Sequence, residues 1–337
     1  MEISELSQKV EKVAFNVNSE LRQIIDLNIN DSLINNICKY AIDNICNNRD
    51  RAFIVQNIAD IYNINNVSKT ISCFLNASEL LIIAIYIKDD IIDDNSIRGS
   101  KQALHLKFGF DSAILVSDIF YSLSIKEIQK ADEFLTSEKL AYILKRHNEC
   151  YQNVCLGQII GNNLLKEQYN SEFILTHYKY LVGETYEYFC ELPLFIAENK
   201  ESDNIKDFAQ LCGLASQIRN DFEDIAGDEE RIETELLMDI VYGRPNYIIS
   251  LLLEKKSSLN IEQVIILESL FNCKSKDIVE DEKRDALFNM IVESSVLNSS
   301  LTSLVNICDE AISILNQLSD CEGKTNLINY MKYLKYE

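Results

Sequence analysis

Apolar residues recur every three or four positions along most of the chain, which is the spacing of one face of an α-helix. Ile83, Ile87 and Ile91 follow this spacing, and so do Leu211, Leu214, Ala215 and Ile218. The 337 residues contain only 2 prolines and 9 glycines, too few for the many turns of a sheet protein. The pattern predicts an all-α protein, and we expect one domain over residues 1–337.

Asparagine-rich or polar segments separate the periodic stretches and predict the turns between helices. Residues 28–30 and 44–48 are predicted turns, and residues 200–205 and 272–284 are polar enough to be loops. None of them has the composition of a linker between domains, so they do not change the single-domain prediction.

The charge of the chain excludes several classes of partner. The formal net charge is -21, which leaves no basic surface for nucleic acid or for anionic lipid. The 10 cysteines form no CxxC pair, and they indicate reduced thiols in a cytoplasmic protein. The longest apolar run, Leu80 to Ile87, is far shorter than the roughly 20 residues of a membrane span. We therefore expect a cytoplasmic protein with no membrane span.

A first cluster of carboxylates follows that apolar run directly. It contains Asp89, Asp90, Asp93 and Asp94. Residues four apart share a helix face, so Asp89 and Asp93 project side by side. Oxygen ligands of this kind suit Mg²⁺, which also binds substrate phosphates. A solvated helix end is the alternative, but the apolar residues upstream place the cluster next to the core.

A second cluster lies about 130 residues later on another apolar helix. Asn220, Asp224 and Asp228 are spaced by four and offer hard oxygen atoms on one face. Acidic proteins contain many such spacings by chance, so either cluster alone is a weak signal. Two clusters on apolar helices together predict a divalent metal site for a polyanionic substrate.

In these motifs the chain resembles the trans-isoprenyl diphosphate synthase (polyprenyl synthetase) superfamily, over about residues 45 to 255. The resemblance rests on the segments 89–109, 157–158, 213–224 and 239–244. It implies an antiparallel helix bundle around a deep apolar cavity, the isoprenoid synthase fold, with three Mg²⁺ ions and a prenyl diphosphate at the cavity mouth. We also expect a homodimer.

The resemblance also implies the roles of individual residues. The metal ligands would be Asp89, Asp93, Asn220, Asp224 and Asp228, and Asp90 belongs to the same catalytic motif. Arg98, Arg219 and Arg244 would contact the diphosphate. Asp94 and Asp221 would orient water or an arginine.

The chain departs from the family where elongating enzymes bind a second substrate, isopentenyl diphosphate. Asn48, Ile82 and Gly99 replace basic or polar residues there. Arg49 and Arg51 are the remaining candidate contacts in that pocket. A pocket that lacks most of its cations binds a diphosphate poorly.

These departures favour a class I terpene synthase that cyclises a C15 or C20 substrate or ends the reaction by elimination. The alternatives are prenyl transfer, either to isopentenyl diphosphate or to another acceptor such as a peptide, and a non-catalytic regulatory subunit.

Several aromatic residues and histidines carry a weaker signal. Five aromatic side chains either line a cation-stabilising cavity or belong to the core, and the core is the favoured assignment: Tyr178, Tyr180, Tyr186, Tyr188 and Phe189. His105 matches a family position but, as a lone histidine, is most simply structural. His147 and His177 have no companions in sequence that point to chemistry, so no role is assigned to them.

Overall fold

The computed structural model describes residues 3–45, 48–64, 68–99, 101–164, 169–196, 202–226, 244–270 and 281–336. Nearly all of these residues are helical, which confirms the all-α prediction. The helices of the first half are α1 (Ile3–Asn28), α2 (Ser32–Asn44), α3 (Asp50–Ile61), α4 (Ser68–Ile92), α5 (Leu104–Phe108), α6 (Phe110–Gln129) and α7 (Ser137–Asn162). Those of the second half are α8 (Ser171–Tyr178), α9 (Glu184–Ile196), α10 (Ser202–Ala226), α11 (Tyr247–Glu254), α12 (Ile261–Leu270), α13 (Asp281–Glu293), α14 (Val296–Asn316) and α15 (Glu322–Tyr336).

A few short elements interrupt or connect these helices. Two-residue strands, β1 (Ile97–Arg98) and β2 (Lys101–Gln102), form an antiparallel hairpin in which Arg98 pairs with Lys101. A π-helical turn, Lys179–Gly183, lies between α8 and α9. Single 3₁₀ turns occur at Lys130–Glu133 and Lys256–Ser258.

The predicted turns at residues 28–30 and 44–48 are confirmed where the structure describes them. Helix α1 ends at Asn28, and the carboxylate of Asp31 caps α2 by accepting from the amides of Leu33 and Ile34. Helix α2 ends at Asn44, and residues 46 and 47 lie outside the described part. The predicted loops at 200–205 and 272–284 are too long, because α10 begins at Ser202 and α13 at Asp281. Polar residues are common in the first turn of a helix, so polarity alone did not separate loop from helix there.

The chain forms two compact units, which are described separately. The first contains Met1–Tyr151, Tyr186–Asp207 and Ile314–Tyr330. Its core is built on α4, where Leu80, Leu81, Ile82 and Ile83 are at most 2% exposed, so apolar residues cover the whole circumference of this part of the helix. Each buried leucine or isoleucine contributes about 1.5–3 kcal/mol to folding. Helix α4 packs most extensively against α6.

The second unit contains Gln152–Thr185, Phe208–Ser313 and Met331–Glu337. Helix α10 passes close to the end of the π-helical turn at Gly213. A Cβ atom added there would lie 2.7 Å from the Cα of Gly183, so only two glycines permit this approach. The prediction of one domain for the whole chain stays a prediction.

Helix α4 is also long and apolar enough to be tested as a membrane span. It is the one helix among the described residues with the length and hydropathy of a membrane span, over Lys69–Ile92. Of its most apolar 18-residue stretch, 72% is buried inside the protein. Burial of this extent is typical of a core helix. No disulfide joins the eight cysteines that the structure describes. Burial raises the pKa of the Cys38 thiol to about 11 and that of Cys308 to about 12, so both thiols are protonated at neutral pH.

Candidate active site

The first carboxylate cluster lies at the C-terminal end of α4. The helix ends at Ile92, but the amide of Asp93 still donates to the carbonyl of Asp89 at 2.8 Å, so Asp93 continues the last turn. Asp89 and Asp93 are partly exposed, whereas Asp90 is 1% exposed. Asp94 has a positive φ of 53°, a conformation that aspartate tolerates and that ends the helix. The helix-face pairing of Asp89 and Asp93 that the sequence predicts is therefore present.

Arg98 is directed back onto this cluster by the β1–β2 hairpin. Its Nε donates to Asp90 Oδ1 at 2.8 Å, and its Nη2 donates to Asp89 Oδ2 at 3.3 Å and to Asp90 Oδ1. The guanidinium also lies over the ring of Tyr86, 4.9 Å from the ring centroid. Burial lowers the pKa of the Arg98 guanidinium. The adjacent carboxylates of Asp90 and Asp89 outweigh this effect and hold the pKa above its ordinary value. The structure thus places Arg98 at the carboxylates, and its contact with a diphosphate stays a prediction.

Gly99 fixes the path of the hairpin at the position where the family has a second arginine. Its φ is +56°, and a Cβ atom added there would lie 2.3 Å from the backbone oxygen of Asn44. The same helix end holds the second strand, because the Tyr40 hydroxyl donates to the carbonyl of Gln102 at 2.7 Å. A side chain at position 99 therefore requires the backbone of the hairpin or of α2 to move.

Arg49 and Arg51 were the remaining basic candidates for a second diphosphate, and the structure places both in internal contacts. Arg49 is 1% exposed, and its Nη1 donates to Glu79 Oε2 at 3.0 Å. Its Nε and Nη2 donate to Asn18 Oδ1 and to the carbonyl of Ile42. Every nitrogen of this guanidinium thus has a partner inside the protein. The expectation that Arg49 faces a ligand pocket is not met.

Arg51 has a similar environment. Its guanidinium lies 4.5 Å from the centroid of the Tyr186 ring, and its Nη1 is 3.9 Å from Asp50 Oδ1. The other oxygen of Asp50 accepts from the hydroxyls of Tyr186 at 2.9 Å and Tyr330 at 2.8 Å. The charge of Arg51 is therefore balanced by an adjacent carboxylate that two tyrosines hold in place.

The second cluster lies on α10 in the second unit. Asn220 is exposed and Asp224 is 7% exposed, one helical turn apart on the same face. Asp228 and the segment 227–243 lie outside the described residues, so their predicted roles stay predictions.

Asp221 joins α10 to the segment that begins with Arg244. Its carboxylate is fully buried, and Oδ2 accepts from the Tyr178 hydroxyl at 2.6 Å and from the amide of Tyr247 at 2.7 Å. The Tyr169 hydroxyl donates to the carbonyl of Arg244 at 2.7 Å and accepts from the amide of Asn246 at 2.6 Å. Asp221 therefore fixes the start of α11 at Tyr247, three residues after Arg244. Its predicted role in orienting water or an arginine stays a prediction. Tyr178 is buried, which confirms the core assignment for this side chain.

Arg219 extends toward the C-terminal helix of the same unit. Its Nε donates to Glu223 Oε1 at 2.7 Å, and its Nη1 donates to the carbonyl of Tyr333 at 2.8 Å. The guanidinium also covers the Tyr333 ring at 4.7 Å. Its diphosphate contact stays a prediction.

One aromatic residue differs from its expectation, and one histidine has contacts that the sequence does not indicate. Tyr180 was expected in the core or cavity and is 56% exposed, because it lies in the π-helical turn, which changes the helical register. His147 is fully buried and hydrogen-bonded on both ring nitrogens, an arrangement that no local sequence signal indicated.

The carboxylates of α4 fit a Mg²⁺ ion that is shared with a substrate. Within the described residues no three histidine, cysteine, aspartate or glutamate side chains converge as a preformed metal cage. Mg²⁺ is commonly bound by one or two carboxylates together with substrate phosphates and water, so a preformed cage is not required. Asp90 Oδ2 is buried without a hydrogen-bond partner, which leaves acceptor capacity next to Asp89 and Asp93.

The chain is similar to proteins of one known family. The sequence model of the family described as "Polyprenyl synthetase" matches residues 31–284. The chain is 27% identical over 196 residues to a short chain isoprenyl diphosphate synthase of Methanothermobacter thermautotrophicus, covering 56% of this chain and 58% of that protein. It is 24% identical over 263 residues to a geranylgeranyl diphosphate synthase of Methanosarcina mazei, covering 77% and 76%.

A solved structure shows the same fold over almost the whole length. The geranylgeranyl pyrophosphate synthase of Corynebacterium glutamicum, complexed with isoprenyl diphosphate and magnesium, superposes with a TM-score of 0.85 at 16% identity, covering 97% of this chain and 99% of that one. The all-α fold predicted from the sequence is thereby confirmed.

Proposed function

This chain belongs to the polyprenyl synthetase family, and we propose that it is a Mg²⁺-dependent enzyme that ionises an allylic prenyl diphosphate of C15 or C20 length. The proposed metal ligands are Asp89 and Asp93, with Asn220, Asp224 and Asp228. Three ions are proposed, as the family resemblance implies. Bound Mg²⁺ would neutralise the charge that develops on the leaving diphosphate.

The protein's own cations complete the proposed diphosphate site. Arg98, released from Asp89 and Asp90 when metal takes up their charge, would donate to the diphosphate oxygens with its planar guanidinium. Arg244, whose carbonyl accepts from the Tyr169 hydroxyl, is proposed to contact the same group. Arg219 is proposed as a third contact, for which it would leave Glu223.

The carbocation that ionisation leaves must then be quenched. We infer that it is quenched by the substrate's own double bonds and by loss of a proton, as in a class I terpene synthase. The observation that carries this is the neutralisation of both remaining arginines: Arg49 by Glu79 and Arg51 by Asp50. A second diphosphate needs charge-assisted donors that can reach it, and Arg49 and Arg51 are only 1% and 8% exposed.

One observation favours a second candidate, a chain-elongating prenyl diphosphate synthase. The relatives named above are prenyl diphosphate synthases, one of them aligned over 77% of this chain. Because the alignment with the relative from M. thermautotrophicus covers only 58% of that protein, its activity is not carried over to the whole chain.

The deciding experiment supplies the substrates separately. The protein is incubated with Mg²⁺ and farnesyl or geranylgeranyl diphosphate alone, and then with isopentenyl diphosphate added. Hydrocarbon and pyrophosphate from one substrate support the terpene synthase. A longer diphosphate that forms only with both substrates supports the elongating enzyme and refutes our proposal.

The metal ligands are tested in the same assay. Asp89→Asn should reduce pyrophosphate release by about 100-fold or more, since an electrostatic contact to the developing charge is removed. Asp111→Asn removes an exposed carboxylate in the first turn of α6 and serves as the matched control. Equal release by wild type and Asp89→Asn would refute the assigned metal site.

We further propose a homodimer in the cytoplasm. Large apolar side chains are exposed on α6, where Phe110 is 55% and Leu115 is 63% exposed. On α7, Leu156 and Ile159 are 48% and 60% exposed. Exposed apolar residues at this density are typical of an interface. Light scattering after size-exclusion chromatography should give twice the monomer mass, and a monomer mass would refute the dimer.

A further inference from the structure

The carboxylate of Asp50, at the start of α3, is surrounded by groups that donate hydrogen bonds or carry positive charge. Its Oδ2 accepts from the Tyr186 hydroxyl at 2.9 Å and from the Tyr330 hydroxyl at 2.8 Å. Its Oδ1 accepts from the backbone amide of Arg51 at 3.0 Å, and Nη1 of the Arg51 guanidinium lies 3.9 Å from the same oxygen. Two hydroxyls, an amide and a guanidinium thus converge on one anion.

These donors come from segments that are far apart in the sequence but lie in the first unit. Arg51 is in the first turn of α3, Tyr186 is in the first turn of α9, and Tyr330 is in α15. Tyr186 and Tyr330 are 1% and 4% exposed, so packing fixes both rings and aims their hydroxyls at a single point. Hydroxyl and guanidinium donors that converge in this way bind carboxylate and phosphoryl groups alike.

The charges at the start of α3 are balanced by pairs. Arg49 pairs with Glu79 at 3.0 Å, and Arg51 lies beside Asp50. Two cations therefore meet two carboxylates. Loss of the Asp50 carboxylate would leave one excess positive charge among largely buried groups, and an uncompensated buried charge is costly. This charge distribution favours an anion at the position of Asp50.

Asp50 is also the member of this charged group that solvent reaches most easily. Its side chain is 21% exposed, whereas that of Arg51 is 9% exposed and that of Glu79 is 2% exposed. A free anion would therefore approach the donors through the position that Asp50 fills. A phosphoryl group carries charge of the same sign as the carboxylate and needs the same donors, so the two compete for one position.

We propose that Asp50 is an internal anion that occupies an anion-binding site formed by Arg51, Tyr186 and Tyr330, and that it keeps phosphoryl groups out of this site. Asp50 is in this way a specificity-determining residue, which acts by occupancy and by charge repulsion. Its part in the reaction rests on the proposed function, because a second diphosphate that is kept from these donors leaves the carbocation to the substrate's own double bonds.

The substitution Asp50→Ala turns the occupied site into a vacant one. The hydroxyls of Tyr186 and Tyr330 lose a shared acceptor, and the Arg51 guanidinium loses the carboxylate beside it. Alanine adds no atoms in exchange, so the vacated volume is open to solvent where Asp50 was exposed. A phosphoryl oxygen that enters there restores hydrogen bonds that the substitution removed.

The test measures the binding of inorganic pyrophosphate by isothermal titration calorimetry, at constant ionic strength and with EDTA present. EDTA removes divalent ions, so pyrophosphate cannot be held through metal at the carboxylates of α4. The proteins compared are wild type, Asp50→Ala and the double variant Asp50→Ala/Arg51→Met. Asp60→Ala is the matched control, because it removes a carboxylate from the same helix that accepts from the backbone amide of Gly323 at 2.8 Å.

We expect Asp50→Ala to bind pyrophosphate about tenfold or more tightly than wild type, because charge-assisted hydrogen bonds form to the ligand. Asp60→Ala should bind as weakly as wild type although its net charge changes equally. The double variant should also bind weakly, because the cation of the site is gone. Pyrophosphate should raise the melting temperature of Asp50→Ala alone, since a ligand that binds the folded state stabilises it.

The substitution of Asp50 by alanine removes a partner of several buried groups, so a second variant is included. Asp50→Ser also removes the carboxylate, and it keeps a small polar side chain at the exposed position. Should Asp50→Ala fold poorly, the same gain of pyrophosphate affinity is expected in Asp50→Ser, and its absence there counts against the inference.

The inference and the proposed function fail in distinguishable ways. A folded Asp50→Ala that binds pyrophosphate no better than wild type refutes the occupied anion site and leaves the proposed function standing. Equal gains in Asp50→Ala and Asp60→Ala also refute it, since net charge alone then accounts for the affinity. If wild type makes a longer diphosphate only with isopentenyl diphosphate present, the proposed function is refuted, and a gain of affinity in Asp50→Ala still supports the occupied site.

Discussion

The buried ion pair between Arg49 and Glu79 gives a quantitative prediction for stability. Arg49 is 1% exposed and Glu79 is 2% exposed, and they meet at 3.0 Å. Replacing one partner leaves an uncompensated charge in the core, which typically costs about 3–5 kcal/mol. We therefore expect Arg49→Met and Glu79→Leu each to lower the free energy of unfolding by about that amount.

The double variant Arg49→Met/Glu79→Leu should recover most of this loss. It removes both charges together, and apolar replacements of a buried pair are often nearly neutral. The carbonyl of Ile42 loses the donor that Arg49 supplies, which costs about 1–3 kcal/mol. The double variant should thus be about 1–3 kcal/mol less stable than wild type, although the two single losses sum to at least about 6 kcal/mol.

The measurement is urea unfolding followed by circular dichroism for the four proteins of the cycle. The surface pair of Lys9 and Glu322 provides a control, since the glutamate side chain is 74% exposed and solvent screens the interaction. Glu322→Gln should not change the unfolding midpoint measurably.

Two results would refute this reasoning. A double variant as unstable as the sum of the single variants would show that the pair is not coupled. A folded double variant that no longer releases pyrophosphate from an allylic diphosphate would show that Arg49 serves the substrate. The internal pairing of Arg49 would then no longer support the proposed terpene synthase.

Three further predictions concern other positions. Gly99→Ala should lower the free energy of unfolding by about 1–3 kcal/mol, because a left-handed conformation is costly for alanine and its Cβ meets the carbonyl of Asn44; an unchanged melting temperature would contradict this. Asp221→Asn should raise the KM for the allylic diphosphate more than it lowers kcat, because the segment that begins with Arg244 loses its charged anchor at the Tyr247 amide; an unchanged KM would contradict it. Burial lowers the pKa of His177 to about 4, below the value of about 6.5 in the unfolded chain. The buried neutral imidazole therefore contributes fully to stability above pH 6.5, and this contribution is lost as the pH falls to 4. The free energy of unfolding should therefore fall less between pH 7 and pH 5 in His177→Gln than in wild type, and equal decreases would contradict this.

The sequence predicted those features that depend on neighbouring residues. Helix α4 and the pairing of Asp89 with Asp93 follow from helical periodicity and from a spacing of four. The apolar run before Asp89 correctly indicated that the cluster borders the core. The same periodicity was misleading at Tyr180, because one π-helical turn shifts the register and no residue type announces it.

Features that depend on distant residues could not be predicted. The partner of Arg49 lies 30 residues away at Glu79, and sequence spacing gives no reason to pair them. The sequence therefore leaves Arg49 as a candidate ligand contact. His147 was left without a role for the same reason, since Ser124 and Tyr188 reach it from two other helices. The hydrogen bond from the Tyr247 amide to Asp221 joins residues 26 positions apart, which sequence spacing does not indicate either.

The turn at Gly99 limits which single substitutions evolution of this chain can accept. With the carbonyl of Asn44 against Gly99, an arginine at this position meets the backbone before its guanidinium can extend toward any ligand. The end of α2 or the hairpin has to be rebuilt first, and only then does the new cation become useful. Neither change is an advantage alone, so the two must arise in a fixed order. To evolve a basic second site, this chain would first need a change in α2 or the hairpin. That change lowers stability before the new arginine can bind a ligand.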